Sequence, residues 1–379
     1  MQPVIIGIIG CGSISDAYFN GAARSSFVRV KACADMRLEA AQAKAAQHGV
    51  TAVTVDALLS DPDIEIVVNL TVPQAHVAVS LQVLEAGKHV YLEKPLGTEF
   101  AAARDLLAKA RALGLRVGCA PDTFLGAAHQ ACRAAVDDGR IGRPVGGAVA
   151  VLSRGMESWH PNPEFFFKAG GGPIHDVGPY YVTQLVDLLG PVARVTACAT
   201  IGMSQRVVSS EPLKGQVIDV EVPTTVNGVL QFAGGANVTL SASWDVWSHH
   251  RAPIEIYGTE GSLLGVNPNF FGGEPRLSER NGPFVPLDTR IHPFGIENFT
   301  SRSGARAADY RGAGVIDMAV ALRLNRPHRA TGELALHVLE VLDAFERSSR
   351  EGRHIEIQTS VQRAAVIPPG TSEEVFLAA

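Results

Sequence analysis

The feature that most restricts this chain is an apolar run, Val4–Ile9, that ends in Gly10-Cys11-Gly12-Ser13-Ile14-Ser15. In that context Gly10 permits a tight turn and Gly12 lets the backbone approach a pyrophosphate, while the helix that follows turns its N–H groups toward the charge. Ser15 stands where a third glycine is usual and is small enough for close helix packing. The rhythm then repeats. Apolar runs at Val28–Ala34, Ile64–Leu70, His89–Leu92 and Leu115–Cys119 alternate with helical stretches at Arg37–His48, Gln74–Ala86 and Glu99–Leu113. Each of those stretches stops at a glycine suited to a left-handed cap, namely Gly49, Gly87 and Gly114. Continuous apolar strands joined through helices predict a doubly wound, parallel α/β sheet.

Asp35 ends the second strand, twenty residues after Ser15. A carboxylate there receives the adenine-ribose hydroxyls of a dinucleotide and repels a 2′-phosphate, which favours NAD over NADP. Arg37, two residues on, is able to bind such a phosphate, so NADP stays open. The loop after the third run, Thr71-Val72-Pro73-Gln74-Ala75-His76, lies at a strand's carboxyl end, where ligands gather in open α/β sheets. Thr71 and Pro73 are expected to border the cofactor. His76 has two readings, cofactor contact or a packed helix-start histidine.

After Pro121 the pattern changes to strands at Val145–Arg154, Val192–Thr200, Thr224–Phe232, Ala236–Asp245 and Ile254–Tyr257, with helices at Val177–Leu189, Asp309–Leu324 and Glu333–Arg350. This predicts an α+β domain with a mostly antiparallel sheet, giving domains at 1–121 and 122–379. Residues 203–219 and 266–308 read as loops. The formal charge of −5 makes no case for nucleic acid or anionic membrane. Five scattered cysteines without a CxxC fit neither a disulfide framework nor a zinc site and suit a reducing cytoplasm. No stretch approaches the roughly 20 apolar residues of a membrane span, and no metal cluster is expected.

The chemistry points to Glu93-Lys94-Pro95, directly after the strand His89–Leu92, where Glu93 and Lys94 are also expected to touch the cofactor. An ammonium there, where a nicotinamide should arrive, can hydrogen-bond a substrate oxygen and stabilise developing negative charge; a surface lysine before a turn proline is the plainer alternative. Gly170-Gly171-Gly172 leads into His175, Asp176 and Tyr180. Asp176 and Tyr180 are four apart and share a helical face, and a phenol near an ammonium can exchange a proton with a hydroxyl. The plainer alternatives are an N-cap for Asp176 and a core aromatic for Tyr180. Arg154, Trp159, His160 and Asn162 lie on a segment expected to overhang this site and suit a sugar, whose C–H face stacks while its hydroxyls hydrogen-bond. Asp122 and Phe124 follow the fifth strand and are expected to open toward the same cleft, with His175 a further substrate contact.

Taken together, Gly10-Cys11-Gly12 with Asp35, Glu93-Lys94-Pro95, and the triple glycine with Asp176-x-Gly178-x-Tyr180 resemble the glucose–fructose oxidoreductase/inositol dehydrogenase/rhizopine-catabolism (Gfo/Idh/MocA) family over essentially the whole chain. The resemblance implies an N-terminal Rossmann domain and a C-terminal α+β domain whose large open sheet commonly makes homo-oligomer contacts. It implies hydride transfer between NAD(P) and a carbohydrate or polyol hydroxyl, with Lys94, Asp176 and Tyr180 as the catalytic group. The commoner family pattern has histidine at the position of Tyr180; the glucose–fructose oxidoreductase and dihydrodiol dehydrogenase branches have tyrosine. Many relatives carry a basic residue near Thr123, and its absence here speaks against a strongly anionic substrate. Two other activities remain open: a redox-neutral NAD enzyme that cleaves glycosides through transient oxidation, and a non-catalytic dinucleotide sensor.

Overall fold

The computed structural model describes residues 1–300, 304 and 306–377. The first six strands, β1 (Val4–Ile9), β2 (Val28–Ala34), β3 (Thr51–Ala52), β4 (Ile66–Asn69), β5 (His89–Leu92) and β6 (Val117–Cys119), form one parallel sheet in the order β3-β2-β1-β4-β5-β6. Order reverses at β1, so the carboxyl ends of β1 and β4 flank the crevice where a ligand lies in such sheets. Helices α1 (Ser15–Ala23), α2 (Leu38–His48), α3 (Val55–Ser60), α4 (His76–Glu85) and α5 (Phe100–Ala112) connect the strands. The burial of Ile66–Asn69 and of Val90–Leu92 explains why these strands read as unbroken apolar runs.

A helix unseen in the sequence, α6 (Ala127–Asp137), opens the second half. It is buried almost all round, so its alanines lack the polar face that marks a surface helix. Beyond it come β7 (Pro144–Leu152), α7 (Pro173–Asp176), α8 (Gly178–Leu189), β8 (Val192–Thr200), β9 (Gln205–Val207), β10 (Val217–Asp219), β11 (Thr225–Phe232), β12 (Asn237–Ser243), β13 (Ile254–Gly258), β14 (Gly261–Gly265), β15 (Arg276–Glu279), β16 (Val285–Pro286), β17 (Phe299–Thr300), β18 (Arg306–Ala307), α9 (Ala313–Arg323), α10 (Gly332–Glu351) and β19 (Ile355–Glu356). Nine of these strands form a sheet in the order β16-β15-β14-β13-β7-β12-β11-β8-β19, antiparallel except for the β7–β12 pair.

The two stretches read as loops are therefore corrected. Residues 203–219 hold the β9–β10 ribbon, and 266–308 holds β15 to β18; residues 301–303 and 305 of that stretch lie outside the described residues. Strands of two to four residues show too little alternation to be seen locally. The helices α9 and α10 pack back against the first sheet: Cys119 N–H donates to Ala330 O at 3.0 Å, and Gly118 bridges Thr331. Among the described residues no helix is long and apolar enough to cross a membrane.

Candidate active site

The glycine loop is built as its sequence demands. Gly10 has φ +100°, and a Cβ there would lie 2.5 Å from the Leu70 carbonyl, so no side chain fits. Where a Cβ at Gly12 would point there is nothing within 4 Å, which leaves the approach to the backbone open. Ser15 is fully buried and its hydroxyl donates to Gly12 O at 2.7 Å, closing the turn from within. Asp35 ties this loop to the end of β2: its carboxylate accepts from Cys11 N–H at 2.8 Å and from Arg37 N–H at 2.9 Å. Ser13 and the Arg37 side chain are exposed and Ile14 is half-buried. This cradle fits a dinucleotide: bare backbone at Gly12, the start of α1 behind it, and a fixed carboxylate at its edge.

Lys94 stands just beyond β5, after Glu93, and a cis peptide bond joins it to Pro95. Its ammonium donates to Asp176 O at 2.7 Å and to Asp176 Oδ1 at 3.0 Å, and lies 5.4 Å from the centre of the Tyr180 ring. Burial disfavours its charge, but the charges of Asp176, Tyr180 and Glu93 outweigh burial and hold its pKa above the ordinary lysine value. Asp176 ends α7 and Tyr180 lies in the first turn of α8, the break falling at Val177. Of the glycines before them, Gly171 is a steric necessity, since a Cβ there would lie 2.3 Å from Phe166 O.

Several expected contacts turn out to be supports beneath the site. His76 is 1% exposed, with Nδ1 2.6 Å from Pro95 O and Nε2 3.0 Å from Thr71 O. It staples the loop after β4 to the Lys94–Pro95 loop rather than facing a ligand, and burial lowers its pKa. Glu93 is buried too, accepting from the Tyr18 hydroxyl at 2.8 Å and from Lys94 N–H at 3.0 Å, which corrects its assignment as a cofactor contact. Asp122 and Phe124 are corrected likewise. Asp122 is almost fully buried and accepts from Gly312 N–H and Gly314 N–H, each at 2.9 Å, while Phe124 is core. Burial pushes the Asp122 carboxyl up to about 6, against the pull of those N–H donors and of Arg311. Thr71 and Pro73 lie in the segment after β4, Thr71 donating through its hydroxyl to Asn69 at 2.7 Å.

The expected sugar-facing segment divides in two. Trp159, His160, Phe165 and Phe166 form an aromatic group, with His160 edge-on to Trp159 at 5.4 Å and to Phe166 at 5.0 Å. Asn162 is exposed, its N–H donating to His160 Nδ1 at 3.1 Å. Arg154 instead lies 4.2 Å over the Trp247 ring and 3.4 Å from Glu157, part of a buried ionic group described below. His175 faces α10, 3.1 Å from Glu346, and lines a cavity of about 400 Å³ with Lys94, Pro179, Asp343 and the apolar face of α10.

One charged group at the site escaped the sequence reading. Arg311, just before α9, is held by Asp309 and Asn269; burial opposes its charge, yet the charges of Tyr180, Asp309 and Glu93 hold its pKa above the usual value. Lys94 is thus not the only cation those charges act on. An arginine ahead of a helix carries no motif, and only folding brings it within their range.

Comparison with known proteins agrees with this geometry. Residues 4–120 match an oxidoreductase family with an NAD-binding Rossmann fold, and residues 129–264 match the GFO/IDH/MocA C-terminal domain. The chain is 30% identical to 1,5-anhydro-D-fructose reductase of Ensifer adhaerens over 269 residues, covering 69% of this chain and 75% of that protein. It is 25% identical to inositol 2-dehydrogenase of Rhizobium meliloti (strain 1021), covering 93% and 99%. A solved levoglucosan dehydrogenase, in complex with NADH and L-sorbose, superimposes with a TM-score of 0.79 at 21% identity, covering 95% and 100%. With its glycine cradle, its Lys94–Asp176 pair and both of its domains so matched, the chain belongs to the Gfo/Idh/MocA family of NAD-binding oxidoreductases.

Proposed function

We propose that this enzyme transfers a hydride between a nicotinamide dinucleotide, NAD in preference to NADP, and a hydroxyl-bearing carbon of a neutral sugar, glycoside or polyol. The observation that carries this reading is the Lys94 ammonium held by Asp176 beside the Tyr180 ring, at the carboxyl end of the strand two places from the glycine cradle. Three relatives named for reactions or complexes with sugars and inositol support the substrate class. In this reading Gly10, Gly12, Ser13 and Ile14 receive the pyrophosphate, Asp35 the adenine ribose with Arg37 at its edge, and Thr71 and Pro73 border the rest. When bound, the nicotinamide supplies the hydride acceptor. Lys94 hydrogen-bonds the reacting oxygen, Asp176 keeps the ammonium charged and aimed, and Tyr180 exchanges the hydroxyl proton. Trp159, His160 and Asn162 would meet the sugar face and hydroxyls.

Residues 1–121 and 122–379 serve as the two domains in this reading, and the open face of the nine-stranded sheet as a homo-oligomer contact. A reducing, cytoplasmic setting suits the five free cysteines. The test is incubation with NAD or NADP and a panel of sugars, glycosides and polyols. Net NADH from a neutral polyhydroxyl compound, with NAD binding tighter than NADP by fluorescence, is the expected result. Release of an aglycone without net NADH would instead mark a redox-neutral cleavage, and binding without turnover a sensor.

A further inference from the structure

A second cavity, of about 520 Å³, lies at the other end of α1 from the glycine cradle, between that helix, α9 and the segment 289–296. None of the residues assigned above to cofactor or substrate lines it. The chain at 370–373 closes it from the side. Gly370 N–H donates to Ile291 O at 2.8 Å, and Glu373 Oε1 accepts from Ser26 N–H at 2.8 Å and from the Ser26 hydroxyl at 3.1 Å. Phe294 holds φ +62°, a left-handed conformation that a bulky side chain rarely adopts. Its ring packs 5.4 Å from Tyr310 and 5.6 Å from Phe376. The Tyr310 hydroxyl is engaged with Ile296 O at 3.1 Å. The wall made by Phe294, Tyr310, Ala313 and Ile316 therefore offers mainly ring and methyl surface.

Two donors at this cavity are left without acceptors. His292 is 8% exposed and lines it. Its Nδ1 is buried with no hydrogen-bond partner, and Nε2 has none among the described residues. Burial lowers the pKa of this ring against the pull of Asp288, which keeps it neutral near pH 7. A buried N–H left unmet is rarer and costlier than an unmet lone pair. The lone pair therefore belongs on the sealed Nδ1 and the proton on Nε2, the nitrogen that a bound molecule can reach. Arg24, exposed at the end of α1, lines the same cavity and makes no ion pair among the described residues. The other charges there are engaged: Arg290 with Asp288 at 2.8 and 2.9 Å, and Glu373 with Ser26. An imidazole N–H and a guanidinium together call for an anionic acceptor.

We propose that this cavity is a second ligand site, which takes a small organic acid: a flat apolar body against Phe294, Tyr310 and Ile316, and a carboxylate that accepts from His292 Nε2–H and from the Arg24 guanidinium. A concave site with apolar walls and a few convergent polar groups is the usual form of a small-molecule pocket. Because it holds none of the catalytic group, its ligand is separate from the substrate and does not compete with the dinucleotide.

The test titrates the full-length protein with benzoate, naphthoate and indoleacetate by calorimetry, with and without NADH. At least one of the acids should bind, equally well in both conditions, and its carboxamide should bind about tenfold or more weakly. Arg24→Met and His292→Ala should each weaken the acid by about the same factor. In protein carrying ¹⁵N-labelled histidine, the ring signals of His292, identified by their loss in His292→Ala, should move as the acid is added. The proposal is overturned if none of the three acids binds, if NADH displaces the one that does, or if both variants bind it as the wild type does. Should His292→Ala fail to fold, Arg24→Met alters only an exposed side chain, and unweakened binding there overturns the proposal by itself.

Discussion

At the scale of single residues, the site separates groups that face the crevice from groups that hold them there. Lys94 is held by two oxygens of one residue, the carbonyl and carboxylate of Asp176, so its ammonium has a fixed direction. Its backbone is held from below by Glu93, and the carbonyl of Pro95 by His76. Fixed donors aimed at developing charge are worth about 10²–10³ in rate in comparable sites. Lys94→Met should therefore lower kcat by about that factor while dinucleotide binding, followed by fluorescence, changes little. A wild-type kcat in this variant would reduce Lys94 to a loop residue.

At the scale of elements, the aromatic segment 155–168 depends on a buried ionic group rather than on its own rings. Arg206, on β9, is 2% exposed; it donates to Glu157 at 2.9 Å and to Asp245, and it lies 5.5 Å from the Phe167 ring. Removing one partner of such a group leaves carboxylates buried without a counter-charge, at a cost of about 3–5 kcal/mol. Arg206→Met should lose stability on that scale in urea unfolding and should raise KM for the sugar more than it lowers kcat. Helix α10 offers a pH test. Burial pushes the Asp343 carboxyl up to about 6, with Glu346 raising it and His175 opposing. A carboxyl with a raised folded pKa binds more protons in the folded state, so its contribution to stability falls as pH rises from about 4 through about 6. Asp343→Asn should therefore raise the thermal midpoint at pH 7 and leave it nearly unchanged at pH 4. An equal effect at both values would mean that the ionised group is not strained.

At the scale of the whole molecule, the second half of the chain closes on the first. Helices α8 and α10 cover one face of the nine-stranded sheet and α10 also packs on α5, so the C-terminal helices belong structurally to both sheets. The opposite sheet face exposes Val229 and Thr239, cross-strand partners at its middle. An exposed valine in the centre of a wide sheet suits contact with a second copy. Val229→Arg should shift the mass measured by light scattering toward monomer with an unchanged circular dichroism spectrum. A wild-type protein that is already monomeric would remove the oligomer from the proposal.

The features legible in the sequence are those enforced by local geometry. The turn at Gly10 admits no Cβ, the small Ser15 closes it, Asp35 ends its strand, and the parallel strands are apolar because both faces are covered. Each of these is a demand that one backbone position places on one residue type, so the demand is written where the residue stands. The Lys94–Asp176–Tyr180 group was legible for a different reason: its two halves sit in motifs whose order implied a common crevice. What only the tertiary structure decided is which polar residues face that crevice and which lie beneath it. His76, Glu93 and Asp122 have the chemistry of a site and are spent as buried hydrogen-bond partners, whereas Arg311, without a motif, is anchored by Asp309 and Asn269 within range of the Tyr180 and Glu93 charges. Burial and the partners of a side chain come from segments far apart in the chain, and no local pattern of residues encodes them.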